Sequence, residues 1–109
     1  MELKIYTHDK DILFDILSKP SVSRDESVAI PGYAKLTYEG TTIRLADGLP
    51  EIINFALTFG SGVAAGVVAN WLYDKLNKRA EKIVINRKEV EFDKEKIKRV
   101  IEETIRIEK

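Results

Sequence analysis

The sequence predicts an α+β fold, and three patterns lead to that prediction. Apolar and polar residues alternate near the start of the chain and in two later segments, as in half-buried strands. Two other segments repeat apolar residues every three or four positions, as in amphipathic helices. Between them, Ile52 to Tyr73 contains no charged residue, although 33% of the 109 residues are charged. We therefore expect about five strands, in two hairpins plus an N-terminal strand, with a long central helix and two amphipathic helices.

The first half of the chain reads as a strand, a helix and a hairpin. Glu2 to Thr7 alternates and predicts a strand, and Asp9 is placed to cap a helix over Lys10 to Ser18. Tyr33 to Ala46 predicts a hairpin with its two-residue turn at Glu39-Gly40. That turn would pair Tyr38 with Thr41, Leu36 with Ile43 and Ala34 with Leu45.

The uncharged stretch predicts a single helix that is apolar around its whole circumference, with Pro50 in its first turn. At 100° per residue, small residues gather on one face, and Gly62 and Gly66 form a GxxxG that permits close backbone approach. We expect this face and its borders to form an interaction surface. Its residues are Phe55, Phe59, Gly62, Ala65, Gly66, Ala69, Asn70 and Tyr73.

The last third predicts a second hairpin followed by a helix. Lys82 to Ile85 would pair with Glu89 to Phe92, placing Ile85 opposite Val90 and Ile83 opposite Phe92. Asp93 is placed to cap the final helix. The buried stripe of that helix would be Ile97, Val100, Ile101, Thr104 and Ile105.

Composition narrows the classes of function. One domain spanning residues 1–109 suits this length. The 18 basic and 18 acidic residues balance, so the charge does not favour nucleic acid as a partner, and the absence of cysteine excludes disulfides and thiolate sites. The first residues lack the apolar core of a signal peptide, so a cytoplasmic location is expected.

Catalytic and cofactor motifs are missing from the sequence. His8, the only histidine, has Asp9 and Asp11 nearby, but the three lack metal-ligand spacing on a rigid element. No GxSxG elbow, P-loop or dinucleotide-binding fingerprint is present. We therefore expect a protein that is not an enzyme and needs no cofactor. A small enzyme or ligand-binding domain stays open as an alternative to the two hypotheses of function given below.

A basic cluster follows the uncharged stretch and is a candidate patch for anions or phospholipid headgroups. The simpler interpretation is a helix end whose positive charge complements the helix dipole, followed by an exposed turn. No aromatic residues are interleaved to stack bases, so DNA fits less well than headgroups. The cluster consists of Lys75, Lys78, Arg79, Lys82, Arg87 and Lys88.

The segment from Gly62 to Leu76, which includes Asn70-Trp71-Leu72, is followed by Lys82 to Ile85, Glu89 to Phe92 and a helix. In this order of elements the chain resembles the small effector-associated components of bacterial conflict systems. The resemblance covers roughly Leu49 to Ile105. It implies a non-catalytic partner of an effector or sensor protein in defence, with no active-site residues to assign.

Two hypotheses of function follow from the uncharged stretch. The first is an interaction module that associates with itself or with a partner protein through Ile52 to Tyr73. The alternative is a membrane-anchored or membrane-active protein, in which that helix spans ~30 Å of hydrocarbon. Trp71 and Tyr73 would then lie at one interface, with the basic cluster on the cytoplasmic side.

Overall fold

The computed structural model describes residues 1–19, 23–44 and 48–108. Across these residues it is an α+β fold with one antiparallel sheet of six strands and three helices. The strands are β1 (Glu2–Thr7), β2 (Ser27–Ile30), β3 (Ala34–Thr42), β4 (Glu51–Phe59), β5 (Lys82–Ile85) and β6 (Lys88–Val90). The helices are α1 (Ile12–Leu17), α2 (Ala65–Leu76) and α3 (Lys94–Glu108).

The strand order β2-β3-β4-β1-β5-β6 places β4 and β1 in the middle of the sheet. Side chains alternate across it, so every second residue of β1, β3, β4 and β5 faces the core. Phe55 at the centre of β4 is 0% exposed. The buried faces of all three helices contribute to the same hydrophobic cluster. The opposite face of the sheet carries exposed or half-buried residues such as Lys4, Asn54 and Thr58.

The long central helix is the main error of the sequence prediction. Its first part is β4, a central strand, and its last part is α2, which begins only at Ala65. Large apolar residues at 53, 55, 57 and 59 alternate with small or polar residues at 54, 56 and 58, which is a strand period. Gly62 then adopts a φ of 76°, a left-handed conformation that interrupts any continuous helix.

The predicted hairpin between Tyr33 and Ala46 is also wrong. Ala34 to Thr42 is one continuous strand, which pairs with β2 on one side and β4 on the other. A register shift between Tyr38 and Gly40 marks a bulge where the turn was expected. Leu45 is the partner expected for Ala34, and Ala46 is the expected end of the hairpin. Both lie outside the described residues.

Other elements agree more closely with the sequence. The strand Glu2–Thr7 is confirmed, and Asp93 caps α3 by accepting hydrogen bonds from Glu95 N at 2.9 Å and Lys96 N at 3.1 Å. The second hairpin exists, but its register differs by two residues, because Ile83 pairs with Val90 across a tight turn. Asn86 and Arg87 form that turn with φ of 49° and 68°.

Candidate functional site: a groove at one end of the sheet

The eight residues expected to form an interaction face do not share one surface. Phe55 and Ala69 are buried in the core, at 0% and 1% exposure. Gly66 is exposed next to Lys98. Asn70 and Tyr73 lie further along α2, where Asn70 Nδ2 is 3.4 Å from Asp74 Oδ2. The splitting of the predicted helix accounts for this dispersal, because strand and helix turn their side chains with different periods.

Phe59, Gly62 and Ala65, by contrast, line one groove, which we call the end groove. It lies where β4 ends, where α2 begins and where the last turns of α3 pass. Its volume is about 840 Å³. It is lined by Phe59, Gly60, Ser61, Gly62, Val63, Ala65, Glu102, Ile105 and Arg106.

The α3 wall of the end groove combines one apolar side chain with two opposite charges. Ile105 is partly buried against the core, and Glu102 and Arg106 are exposed one helical turn apart. Among the described residues neither charge forms an ion pair, with the other or with any neighbour. The groove therefore combines apolar side chains with an acid and a base that form no ion pair with any described residue.

A second groove, of about 770 Å³, adjoins the first through Phe59, Gly60 and Ser61. The turn between β2 and β3 forms its other wall, where Tyr33 is 73% exposed. Two backbone hydrogen bonds hold this turn in place, from Gly60 N to the Tyr33 carbonyl at 2.8 Å and from Ala64 N to the Gly32 carbonyl at 3.0 Å. The end of the sheet is thus fixed by backbone contacts, while the Tyr33 side chain stays exposed.

Gly32 is the tightest point of this turn. A Cβ atom built there would lie 2.8 Å from Val68 Cγ2 and 2.9 Å from the Ala64 carbonyl oxygen. Its φ of 95° is also a conformation that side chains rarely adopt. Only glycine allows the β2–β3 turn to approach the start of α2 this closely.

The six residues of the basic cluster are distributed over different surroundings. Lys75 lies 5.9 Å from the Trp71 ring, and Lys82 contacts Glu89 and the Tyr6 ring. Lys78 follows α2 with a φ of 65°. Arg87 and Lys88 lie at the far end of the β5–β6 hairpin from Lys82. The structure does not bring the six onto one surface.

Arg79 is instead part of a network at the other end of the sheet, which we call the ion-pair end. Its Nε donates to Asp9 Oδ2 at 2.7 Å and its Nη2 to Asp15 Oδ2 at 2.8 Å. The hydrogen bond from Arg79 lowers the pKa of Asp9, and the same bond raises the pKa of Arg79. Thr7 Oγ1 also donates to the Arg79 carbonyl at 2.7 Å. The network joins β1, α1 and the segment after α2.

His8 lies in the ion-pair end, beside a small pocket of about 440 Å³ that it lines with Asp9 and Glu81. Asp9 does not cap α1 as expected. Its side chain accepts a hydrogen bond from Asp11 N at 2.9 Å and binds Arg79. The N-cap residue of α1 is Asp11, whose side chain forms no capping hydrogen bond. Within the described part of the chain, no group of three His, Cys, Asp or Glu side chains is arranged to hold a metal ion.

A scan against known protein families, a search of curated proteins and a search of solved structures each found no match for this chain. In residues 1–19, 23–44 and 48–108, no helix combines the length and hydropathy needed to cross a bilayer. The stretch considered as a spanning segment is divided between β4 and α2.

Sequence reasoning missed the α3 wall of the end groove. The sequence predicts Ile105 in the buried stripe of the last helix and assigns no role to the charges beside it. A signal was present, because Glu102 and Arg106 are spaced by four and flank Ile105. That pattern could indicate a site only after the structure had shown that Phe59 of β4 and Ala65 of α2 lie beside these residues.

Proposed function

We propose that the chain is a non-catalytic assembly module that associates with a second copy of itself through the end groove. In this arrangement two copies meet about a two-fold axis with their α3 helices antiparallel. A two-fold interface uses the same surface of both copies. If one residue of the first copy contacts a second residue of the partner, the same contact is therefore repeated with the two copies exchanged.

The self-complementary charges at the groove edge carry this proposal. With the helices antiparallel, Glu102 of each copy lies opposite Arg106 of the other, giving two ion pairs on either side of the axis. Ile105 of both copies lies between these pairs, together with the apolar wall provided by Phe59 and Ala65. The equal numbers of acidic and basic residues, 18 of each, place no net charge on the chain that would oppose association.

The free energy of such an interface would come mainly from its apolar side chains, Phe59, Ala65 and Ile105. Burying apolar surface contributes roughly 25 cal/mol per Å². An exposed ion pair contributes only about 0.2–1 kcal/mol, so the charges mainly set orientation and partner choice. We therefore expect a reversible dimer, whose specificity depends on Glu102 and Arg106 and whose affinity depends on Ile105.

Oligomeric state tests the proposal. Sedimentation velocity of the wild-type chain between about 1 and 200 µM should show a concentration-dependent dimer, and Ile105→Asp should shift it to monomer. Ile107→Asp is the matched control, because Ile107 is on the same helix and 84% exposed but does not line the end groove. A wild-type monomer throughout this range, or equal loss of dimer in both variants, would refute the proposal.

The defence-system role implied by the resemblance stays a prediction, because no comparison bears on it. If the module serves an effector protein, dimerisation through the end groove would present two copies of the sheet to it. In this arrangement the effector would contact the exposed face of the sheet, which is opposite the helices.

A further inference from the structure

The two edges of the sheet differ in charge. At one edge, β6 is three residues long, and both Lys88 and Glu89 are exposed. At the other edge, the four residues of β2 carry no charge. Charged side chains on an edge strand are one means by which proteins prevent it from pairing with another chain. The β2 edge lacks that protection.

A bulge fixes the hydrogen bonding at the start of β2. Asp25 N donates to the Tyr38 carbonyl, and Tyr38 N donates to the Glu26 carbonyl, both at 2.8 Å. Asp25 has a φ of 71°, the left-handed conformation that the first residue of such a bulge adopts. Glu26 is therefore bonded to β3 through Tyr38.

This bond determines which backbone groups of β2 face outward. In an antiparallel ladder every second residue exchanges hydrogen bonds with its partner, and the residues between turn their N–H and C=O groups away. Two residues after Glu26, Val28 is therefore bonded to its partner Leu36. Ser27 and Ala29 face away from β3. Because β2 is the last strand of the sheet, no described residue bonds them on that side.

The central strands indicate the same alternation independently. Leu57 N donates to the Met1 carbonyl at 2.7 Å, and Met1 N donates to the Leu57 carbonyl at 2.9 Å. Leu57 therefore turns its backbone groups towards β1 and away from Leu36, its partner in β3. Leu36 is left to bond Val28, as the bulge also requires.

A strand added to this edge would meet two different surroundings. Val28 is partly buried against the core, so a side chain beside it should be apolar. Ala29 is exposed on the opposite face, next to its partner Lys35. Lys35 is exposed too and forms no ion pair with any described residue. Because Ala29 is small, Lys35 can extend over it towards a carboxylate on the added strand.

We propose that the β2 edge binds an extended segment of a partner protein, which joins the sheet as an antiparallel strand. The segment carries an apolar side chain opposite Val28 and an acidic side chain opposite Ala29. Backbone hydrogen bonds to Ser27 and Ala29 supply affinity, and the two side-chain positions supply selectivity. Neither Ser27 nor Ala29 lines the end groove, so the proposal does not depend on self-association.

A second copy of the chain matches this edge less well. In the register that bonds both outward residues of two antiparallel β2 strands, Ser27 of one copy lies opposite Ala29 of the other. Lys35 would then face a serine and not a carboxylate. Charge complementarity therefore favours a different, acidic strand as the occupant.

Nuclear magnetic resonance titration with a defined peptide tests the proposal. The probe is the capped peptide Thr-Val-Glu-Val-Thr-Val, whose third residue would lie opposite Ala29, and the control peptide has Lys in place of Glu. The amide protons of Ser27 and Ala29 should shift downfield as the probe is added. The Val28 amide, already bonded to β3, should shift much less, and the Glu89 amide at the β6 edge should not move.

Lys35→Glu should reverse the choice of peptide. The wild-type chain should bind the Glu peptide about threefold or more tightly than the Lys peptide, and the variant should show the opposite preference. Lys88→Glu, the same charge change at the β6 edge, is the control and should keep the wild-type preference.

Ala29→Pro should weaken both peptides about fivefold or more, because it removes an outward N–H. Proline is tolerated in an edge strand where the N–H faces away from the sheet, so the bonds to β3 should persist. Dispersed amide signals check the fold. If this variant does not fold, the reversal by Lys35→Glu decides, since that change is at an exposed side chain.

Four results would overturn the proposal. The first is no shift of Ser27 and Ala29 at peptide concentrations up to about 5 mM, which excludes even millimolar affinity. The second is equal binding of the two peptides to the wild-type chain. The third is unchanged binding by a folded Ala29→Pro variant. The fourth is a shift of the Ser27 and Ala29 amides with protein concentration alone, which would assign the edge to a second copy.

Discussion

The two ends of the sheet are built from different interactions. At the ion-pair end, Arg79 joins Asp9 and Asp15, and His8 joins Glu81 to Gly48. At the groove end, backbone contacts fix the turn and the loop, while Glu102 and Arg106 form no ion pair with any described residue. One end uses its side chains to hold the fold together. At the other end, Glu102 and Arg106 are exposed, which suits the proposed contact with a second copy.

Under the proposed function, the side-chain contacts that hold the fold together and the side chains that bind a second copy lie at opposite ends of the sheet. A docking surface is favourable when its shape is fixed before binding, because less conformational entropy is lost on association. Gly32 and the Gly60 hydrogen bond to Tyr33 fix the groove end without using any charged side chain. Glu102 and Arg106 take no part in these contacts.

The largest expected effect is at Gly32. Gly32→Ala should lower the free energy of unfolding by about 2–4 kcal/mol, because a strained φ is combined with overpacking against Val68 and the Ala64 carbonyl. Gly48→Ala is the control: its φ of 81° is similar, but a Cβ atom there meets nothing within 4 Å. Urea denaturation should show a loss of only ~1 kcal/mol for the control. Equal losses would mean that close packing at the groove end is unimportant.

A smaller effect is expected at the ion-pair end. Arg79→Met keeps the aliphatic part of the side chain and removes its bonds to Asp9 and Asp15, which should cost about 1–2 kcal/mol of unfolding free energy. A double-mutant cycle with Asp9→Asn measures the pairing itself. Dimer affinity should be unchanged in both variants. A change in affinity would contradict the separation of the two ends.

The smallest effect is a dependence on acid pH. The hydrogen bond from Arg79 lowers the pKa of Asp9 in the folded state, so its contribution is present above the unfolded-state pKa of about 3.9. That contribution is lost as pH falls through the lower, folded-state pKa. The stability difference between wild type and Asp9→Asn should therefore shrink between pH 6 and pH 2.5. Arg79→Met should abolish this trend, and a difference that stays constant would contradict it.

The sequence predicts the outer parts of this fold better than its centre. Glu2–Thr7 and the cap at Asp93 could be recognised because each depends on residues within a few positions. The central stretch carried two periods at once, a strand period from Ile53 to Phe59 and a helix period after Ala65. The absence of charge from Ile52 to Tyr73 predicts one helix, although a central strand is equally free of charge.

The candidate site was only partly accessible from sequence for a related reason. Phe59, Gly62 and Ala65 are among the predicted interaction residues, and they line the end groove; their role in interaction stays a prediction. Ile105 and its flanking charges come from a helix about forty residues later, and nothing local pairs them with Phe59. The strand order places β1 between β4 and β5, and α3, which follows the β5–β6 hairpin, packs against α2.

The most direct test of self-association is a charge exchange across the proposed two-fold axis. Arg106→Glu should weaken the homodimer at least tenfold, because acidic residues then occupy both 102 and 106 and face each other across the axis. Glu102→Arg should weaken it equally, with basic residues at both positions. Arg99→Glu, on the same helix but outside the end groove, is the control and should dimerise like the wild type.

An equimolar mixture of Arg106→Glu and Glu102→Arg decides the matter, because each chain then carries the charges that complement the other. Sedimentation velocity should show that the mixture dimerises at least as well as the wild type, whereas each variant alone is monomeric at the same concentration. If the mixture stays monomeric while the wild type dimerises, the two copies do not meet through Glu102 and Arg106, and the account of the end groove is wrong.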